Sequence, residues 1–228
     1  QNKESKIYLS KLGVKNIKIA GNLKYFGEKK IKVNSDINKI IKNRKVFCCA
    51  STHDNEENLI ADAHKNAKKS VNNLLTVIIP RHVYRTDKIV GLLENKQLNV
   101  ITRSSRNKVS KSTDIYIVDT YGEARKFYEI SNLCFVGGSL IDHGGQNPLE
   151  PVRGKNYIMF GPYVHNFKEI YDLLLNLKIA SKVKSLNNIC ELIKKKINYN
   201  HSRKILKKID EMGKRVLKNN IYEIDKFI

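Results

Sequence analysis

The run Leu74-Leu75-Thr76-Val77-Ile78-Ile79 is apolar at five of its six positions and offers no polar face to water. A strand wetted on one side alternates apolar with polar residues, whereas a strand covered on both sides, as in a parallel sheet, does not. The stretch 45–50 (KVFCCA) has the same β-type character. Shorter candidate strands fall at 16–20 (NIKIA, ending at Gly21), 98–102, 115–119 (IYIVD), 133–137 (LCFVG) and 156–160. Between and after them the pattern predicts helices over about 55–71, 83–95 and 122–131, and a short helix after Pro148. Lys-rich amphipathic helices follow near 186–197 and 202–219, and the polar, basic segment 104–112 reads as a loop. Alternating β and α units of this length predict an α/β fold, a doubly wound parallel sheet with helices on both faces. Ligands of such sheets sit beyond the carboxyl ends of the strands, which directs attention to the strand-to-helix loops.

With 228 residues, 41% of them hydrophobic, the chain can bury a sizeable core, and one domain plus a small extra piece is expected. Gln1 in place of Met is read as a processed start or as a piece of a longer chain. No stretch reaches the roughly 18 apolar residues of a membrane span, and no signal-peptide pattern opens the chain. Cys48, Cys49, Cys134 and Cys190 show no CxxC spacing, so buried reduced thiols are expected rather than disulfides or a metal site. The formal charge of +21 would attract an anionic partner such as nucleic acid, a membrane surface or a phosphorylated substrate. It also fits composition alone, since Lys, Asn and Ile are abundant throughout and the lysines follow the whole chain. Nucleic-acid modules interleave a basic patch with exposed aromatics; no stretch here does, and no nucleic-acid partner is expected.

Four loops carry the unusual residues. Ser51-Thr52-His53-Asp54-Asn55-Glu56-Glu57 leaves the strand at 45–50. Asp54 and Glu57 have capping-box spacing and acids suit a helix start, but that leaves His53 without a structural reason. Pro80-Arg81-His82 follows the 74–79 strand, with Arg85 one turn further on. A permanent cation and an imidazole there suit an anionic group; a solvated turn is the alternative. Asp119-Thr120-Tyr121-Gly122-Glu123 reads as an ordinary strand-to-helix turn in which Gly122 lets the backbone approach a ligand. The fourth loop is Gly137-Gly138-Ser139, then Asp142-His143-Gly144-Gly145-Gln146-Asn147-Pro148-Leu149-Glu150-Pro151. Two Gly pairs let a ligand come close and expose peptide N–H groups. Asn147 as cap and Pro148 at the first helical position mark a helix start suited to a phosphate. Glu150, in the first turn, can accept hydrogen bonds from ribose hydroxyls. Helix starts favour acids in any case, but that does not account for two Gly pairs beside a histidine.

In order and spacing these segments resemble the motifs of the 3-deoxy-D-manno-octulosonic acid (Kdo) transferases of lipopolysaccharide synthesis. The matching stretches are GNLK (21–24), ASTHDNEE (50–57), PRH (80–82), Arg-Ser-Ser (103–105), DTYGE (119–123), FVGGSL (135–140), GGQNPLEP (144–151) and FGPYVHNF (160–167). Two positions depart from the family pattern: Tyr121 stands where Met is frequent, and Gln146 where His is frequent; neither removes a charged group.

The resemblance covers nearly the whole chain and implies the C-terminal half of a two-domain GT-B glycosyltransferase with facing Rossmann-like domains. Residues 1–20 would be the tail of the N-terminal acceptor domain and linker, 1–12 being its last helix, and 21–228 the nucleotide-sugar domain with C-terminal helices. It implies transfer of Kdo from CMP-Kdo to a lipid A precursor (lipid IVA), with peripheral association to the anionic cytoplasmic face of the bacterial inner membrane. The loop of Gly138 and Ser139, with Gly145 and the helix start at Asn147, would hold the donor phosphate as the bond to Kdo breaks. Glu150 would bind the ribose, and the loop of Tyr121, Gly122 and Glu123 would border the cytosine. Arg81 would take the Kdo carboxylate or the phosphate, with Ser51, His53 and His82 beside it. A monophosphate leaving group and the lack of an Asp-x-Asp motif imply chemistry without metal or cofactor. The general base would lie in the N-terminal domain, so this chain is expected to bind CMP or CMP-Kdo and to transfer nothing. The competing readings are a UDP-sugar-dependent GT-B glycosyltransferase and a non-catalytic basic binding module.

Overall fold

The computed structural model of the chain describes residues 1–27, 37, 43–200 and 203–226. In chain order they form α1 (Lys3–Lys11), β1 (Lys45–Thr52), α2 (Glu56–Lys68), β2 (Leu74–Pro80), α3 (Thr86–Asn95), β3 (Val100–Thr102), β4 (Ile115–Ile117) and α4 (Ala124–Ile130). There follow β5 (Leu133–Val136), α5 (Leu149–Arg153), β6 (Tyr157–Phe160), α6 (Lys168–Asn176), β7 (Ala180–Lys182), α7 (Leu186–Lys196) and α8 (Arg203–Ile224). The chain divides into two compact units, Gln1–Lys29 with Ser202–Ile228, and Lys30–His201.

The unit Lys30–His201 holds a seven-stranded sheet in the order β3-β4-β2-β1-β5-β6-β7. Every neighbouring pair is parallel. Successive side chains of a strand point to opposite faces, and the core divides accordingly. Phe47 and Cys49, Ile115 and Ile117, Leu133 and Phe135, and Tyr157 and Met159 share one cluster with α2, α3 and α7, through Ile60, Ala63, Ala67, Ile89, Leu93, Ile189 and Ile193. On the opposite face Tyr116 packs against Phe127 of α4, ring centroids 5.9 Å apart, and Phe160 against Tyr171 of α6 at 4.3 Å. Each large apolar side chain so buried contributes about 1.5–3 kcal/mol. β2 is buried at all seven residues, which is why its sequence carries no polar face. This is the doubly wound α/β architecture that the alternating pattern predicts.

Three expectations need correction. The segment 16–20 is not a strand. Asn16 sits at φ +56°, the Ala20 carbonyl accepts from Asn220 Nδ2 at 3.2 Å, and Lys18 pairs with Glu223 at 3.1 Å. Its alternating isoleucines read as β, but its backbone leans on side chains of α8 instead of joining a ladder. β4 ends at Ile117, two residues before the predicted end. β7 went unpredicted because Ala-Ser-Lys has no apolar pattern; pairing with β6 places it. The helix predicted over 202–219 runs Arg203–Ile224, with residue 202 outside the described residues. A helix spans Lys3–Lys11 inside the predicted 1–12, opened by Asn2, whose side chain accepts the Ser5 amide. All four cysteines are free and buried. Among the described residues no helix is long and apolar enough to cross a membrane.

Candidate ligand-binding site

From β1 the chain winds to one side through β2, β3 and β4, then returns to the other side as β5, β6 and β7. The carboxyl ends of β1 and β5 therefore form the switch point where the connections diverge and open-sheet ligands sit. β1 ends irregularly there, with a register shift between Ala50 and Thr52 and with Ser51 at φ +56°. Gly137, beside it on β5's exit, has no room for a side chain, since a Cβ would lie 2.3 Å from the Ser51 carbonyl oxygen. At Gly138, φ is +63° and a Cβ would lie 3.1 Å from His53 Cε1 and 3.2 Å from His143 Cδ2. Glycine thus lets two imidazoles close on the main chain.

The amides of this glycine loop already hold an anion. Glu56 Oε2 accepts from the amides of Gly138 (2.8 Å) and His53 (2.9 Å), and Oε1 from those of Ser139 (3.1 Å) and Leu140 (3.0 Å). The peptide N–H groups of Gly138 and Ser139, expected to face a ligand, are thus occupied from within the protein. Glu56 is buried, and burial raises its pKa even against these four bonds. His53 and Glu56 also replace the predicted Asp54–Glu57 capping box, because the Glu56 amide donates to the His53 carbonyl at 3.1 Å while its side chain reaches back to the His53 amide. The Ser139 hydroxyl is internal too, donating to the Val136 carbonyl and accepting the Gly161 amide.

Above this nest stand three histidines. His53 is buried, and its ring centroid lies 4.2 Å from His143 and 6.2 Å from His82. His82 is exposed and stacks on Tyr84 at 5.5 Å. His53 Nδ1 lies 2.9 Å from the Ser51 carbonyl oxygen. A carbonyl only accepts, so Nδ1 carries a proton and Nε2 holds the lone pair of the neutral ring. Among the described residues that Nε2 is buried without a partner. Burial lowers the His53 pKa, and His143, His82 and Arg85 lower it further against the Ser51 bond. Among the described residues no group of three or more His, Cys, Asp or Glu side chains has metal-holding geometry.

The two arginines after β2 part company. Arg85 turns inward, donating to both Glu57 oxygens at 3.0 Å, to Asp54 at 2.6 Å and to the Thr52 carbonyl at 3.2 Å. It therefore serves the fold, and it takes the two acids predicted to cap α2. Arg81 is exposed, and its amide donates to the Thr52 carbonyl at 3.0 Å.

The other candidates occupy the same end of the sheet. Tyr121 is 81% exposed and Gly122 has φ +78°. Glu123 receives Arg103 Nε (3.0 Å) and NH2 (3.1 Å), Thr120 Oγ1 (2.5 Å) and Lys126 Nζ (2.9 Å). Burial opposes its ionisation, but these donors outweigh it and hold the carboxyl at about 2. Gly145, at φ +76°, donates its amide to the Gly138 carbonyl and so joins the two Gly pairs. Asn147 Oδ1 accepts the Leu149 amide at 3.1 Å in a local turn, but the cap position falls on Pro148 and not on Asn147, so α5 begins one residue later than predicted and has five residues. Glu150, half-exposed on its first turn, faces Arg125 of α4 at 3.4 Å.

The structure thus brings Ser51, His53, His82, Gly138, Ser139 and Gly145 together, while Tyr121, Gly122 and Glu123 lie at the end of β4, with β2 between it and β1. Sequence reasoning missed Glu56, which it read as a helix-start acid, and His143 as a partner of His53. Spacing would have shown the three-residue reach from Glu56 to His53. Its bonds to 138–140 span 82–84 residues and leave no local signal.

No family model matches the chain. It is 31% identical over 223 residues to the 3-deoxy-D-manno-octulosonic acid transferase of Rickettsia bellii, covering 96% of this chain and 53% of that protein. To the transferase of the same name from Haemophilus influenzae it is 30% identical over 213 residues, covering 90% of this chain and 48% of that protein. The chain therefore spans about half the length of these relatives. Its fold matches the C-terminal CMP-Kdo binding domain of WaaA from Acinetobacter baumannii with TM-score 0.67 and 28% identity, covering 79% of this chain and 93% of that domain. The chain belongs to the 3-deoxy-D-manno-octulosonic acid transferase family and corresponds to the C-terminal part of its members.

Proposed function

We propose that the chain is the donor-binding half of a GT-B glycosyltransferase that moves Kdo from CMP-Kdo to a lipid A precursor at the cytoplasmic face of the inner membrane. The observation that carries this reading is the match to a CMP-Kdo binding domain, whose fold and 28% identity extend over 79% of the chain. The convergence of His53, His82 and Gly138 at the switch point of the sheet supports it, since open α/β sheets bind nucleotides there. Residues 1–20 are assigned to the tail of the acceptor domain and linker. Glu150 is assigned to the ribose, the 121–123 loop to the cytosine, and Arg81 to the Kdo carboxylate or phosphate. The base for the acceptor hydroxyl is assigned to the other half of the protein.

Calorimetric titration with CMP, UMP and AMP tests the assignment. CMP is expected to bind selectively, and Glu150→Ala to weaken it about tenfold, the loss of one charge-assisted hydrogen bond. Equal binding of all three nucleotides, or of none, would overturn it; preference for UMP would point to a UDP-sugar enzyme.

A further inference from the structure

Among the described residues His53 Nε2 is one of the few buried polar atoms without a partner. The residue is 8% exposed, its other ring nitrogen is fixed on the Ser51 carbonyl, and the ring sits against Gly138 at the mouth of the sheet. A buried unmatched nitrogen at such a place marks a position that a ligand completes. The groups facing it are His143 from the loop after β5, His82 and Arg85 from the segment after β2, and Glu56 of α2, which bonds the His53 amide. Arg81, next to His82, is exposed. Glu56 is answered by four amides and Arg85 by Glu57 and Asp54, so among the described residues the groups left to meet a ligand are the three imidazoles and Arg81, donors that suit an anion. The amides of Gly138, Ser139 and Leu140 are held by Glu56 and are closed to an anion, which shifts the task to side-chain donors. Phosphate oxygens accept hydrogen bonds, and Nε2 can serve them only when it carries a proton.

We propose that His53, His82 and His143, with Arg81, form a proton-linked monophosphate subsite in which His53 takes a proton onto Nε2 as the phosphate arrives. This rests on the donor-site reading above and adds the chemistry by which that site holds phosphate. The proton comes from solvent, no covalent bond changes, and Nε2–H donates to a phosphate oxygen. In the empty site burial and the neighbouring imidazoles keep His53 neutral, and an anion at the same spot reverses that balance. A sugar phosphodiester carries one negative charge and the released monophosphate two, so the subsite grips harder as the leaving group departs. Sign follows from proton uptake: affinity rises as pH falls from the pKa of His53 in the complex towards its lower value in the free protein.

Long-range proton–nitrogen spectra of the imidazoles give the direct test, on the unaltered chain with CMP, cytidine and inorganic phosphate. CMP is expected to convert His53 from the Nδ1–H neutral form to imidazolium, with calorimetry in buffers of different ionisation enthalpy showing up to about one more proton taken up per CMP than in His53→Gln, a difference from which protons released by the phosphate cancel. Cytidine should do neither. His53→Gln should weaken CMP about tenfold at pH 6.5 and less than about twofold at pH 8.5. The phosphate's own titration near about 6 is common to both proteins and cancels in that comparison. CMP bound with His53 still neutral and no more proton uptake than in His53→Gln would overturn the subsite while leaving the donor reading intact. Protonation of His53 by inorganic phosphate without binding of CMP would keep the subsite and sink the nucleotide reading. Binding of neither would sink both.

Discussion

His64 and His53 are both buried, at opposite ends of one sheet, and their surroundings differ in kind. At the amino end His64 is fully enclosed, with Nδ1 2.8 Å from Thr76 Oγ1 and Nε2 3.3 Å from Asp114 Oδ1. Lys68 pairs with the same carboxylate, and the Asn99 amide donates to its other oxygen at 3.0 Å. Close by, the Arg44 guanidinium donates to the carbonyls of Asn73, Leu74, Ser110 and Thr113 at 2.6–3.0 Å. At the carboxyl end Thr52 Oγ1, His53 Nε2 and Arg85 Nε are buried without partners among the described residues. A polar core that serves stability alone closes its hydrogen bonds, and one that receives a ligand leaves some open. The same residue type, buried in both places, is a strut at one end and the proposed phosphate receptor at the other.

The contrast can be broken most forcefully at Asp114. Asp114→Ala leaves His64, Lys68 and the Asn99 amide without their acceptor, and urea unfolding should show a loss of about 3 kcal/mol with CMP affinity of the folded protein unchanged. Burial resists ionisation of Asp114, but the bonds from His64, Lys68 and Asn99 outweigh it and hold the carboxyl well below the usual range. A depressed acid contributes stability that is present above its unfolded value of about 4 and lost as pH falls below it. The urea midpoint should therefore drop between pH 6 and pH 3.5, and drop less in Asp114→Ala. A change in CMP affinity would show that the two ends are coupled.

Glu56→Ala should come next, costing about 2 kcal/mol by freeing four amides, and here CMP binding should fall as well because His53 and Gly138 lose their common anchor. Unfolding and titration of one sample read both effects; loss of stability with full binding would place Glu56 with the struts. The smallest effect belongs to Glu123→Gln. Its partners Arg103 and Lys126 are a quarter exposed, so the thermal midpoint should shift by the equivalent of less than about 1 kcal/mol.

How far the sequence carries differs between these regions for physical reasons. The apolar runs of β1 and β2 could be read because both faces of each strand are buried, and burial is written in composition. The three residues of β7 could not, since their position follows from β6. The stretch 16–20 misled because alternation shows which side chains suit a strand and not whether a partner strand exists. His53, Gly138 and Arg81 were legible as unusual residues at strand ends. Glu56 was not, because its charge answers amides that only the closed fold brings near, and local spacing offered an adequate use for it. The matched surroundings of His64 were equally invisible, for Asp114 lies 50 residues away.

Both margins of the sheet are short. β3 and β7 have three residues each, against eight in β1 and seven in β2. A newcomer strand docking on either margin would find too few free backbone groups to offset its lost freedom. With 21 surplus positive charges also repelling approaching copies, such polymer growth is disfavoured twice over. Copies of the chain can thus be concentrated without their sheets joining edge to edge, and the proposed donor site, at the carboxyl ends of the strands, lies away from both margins.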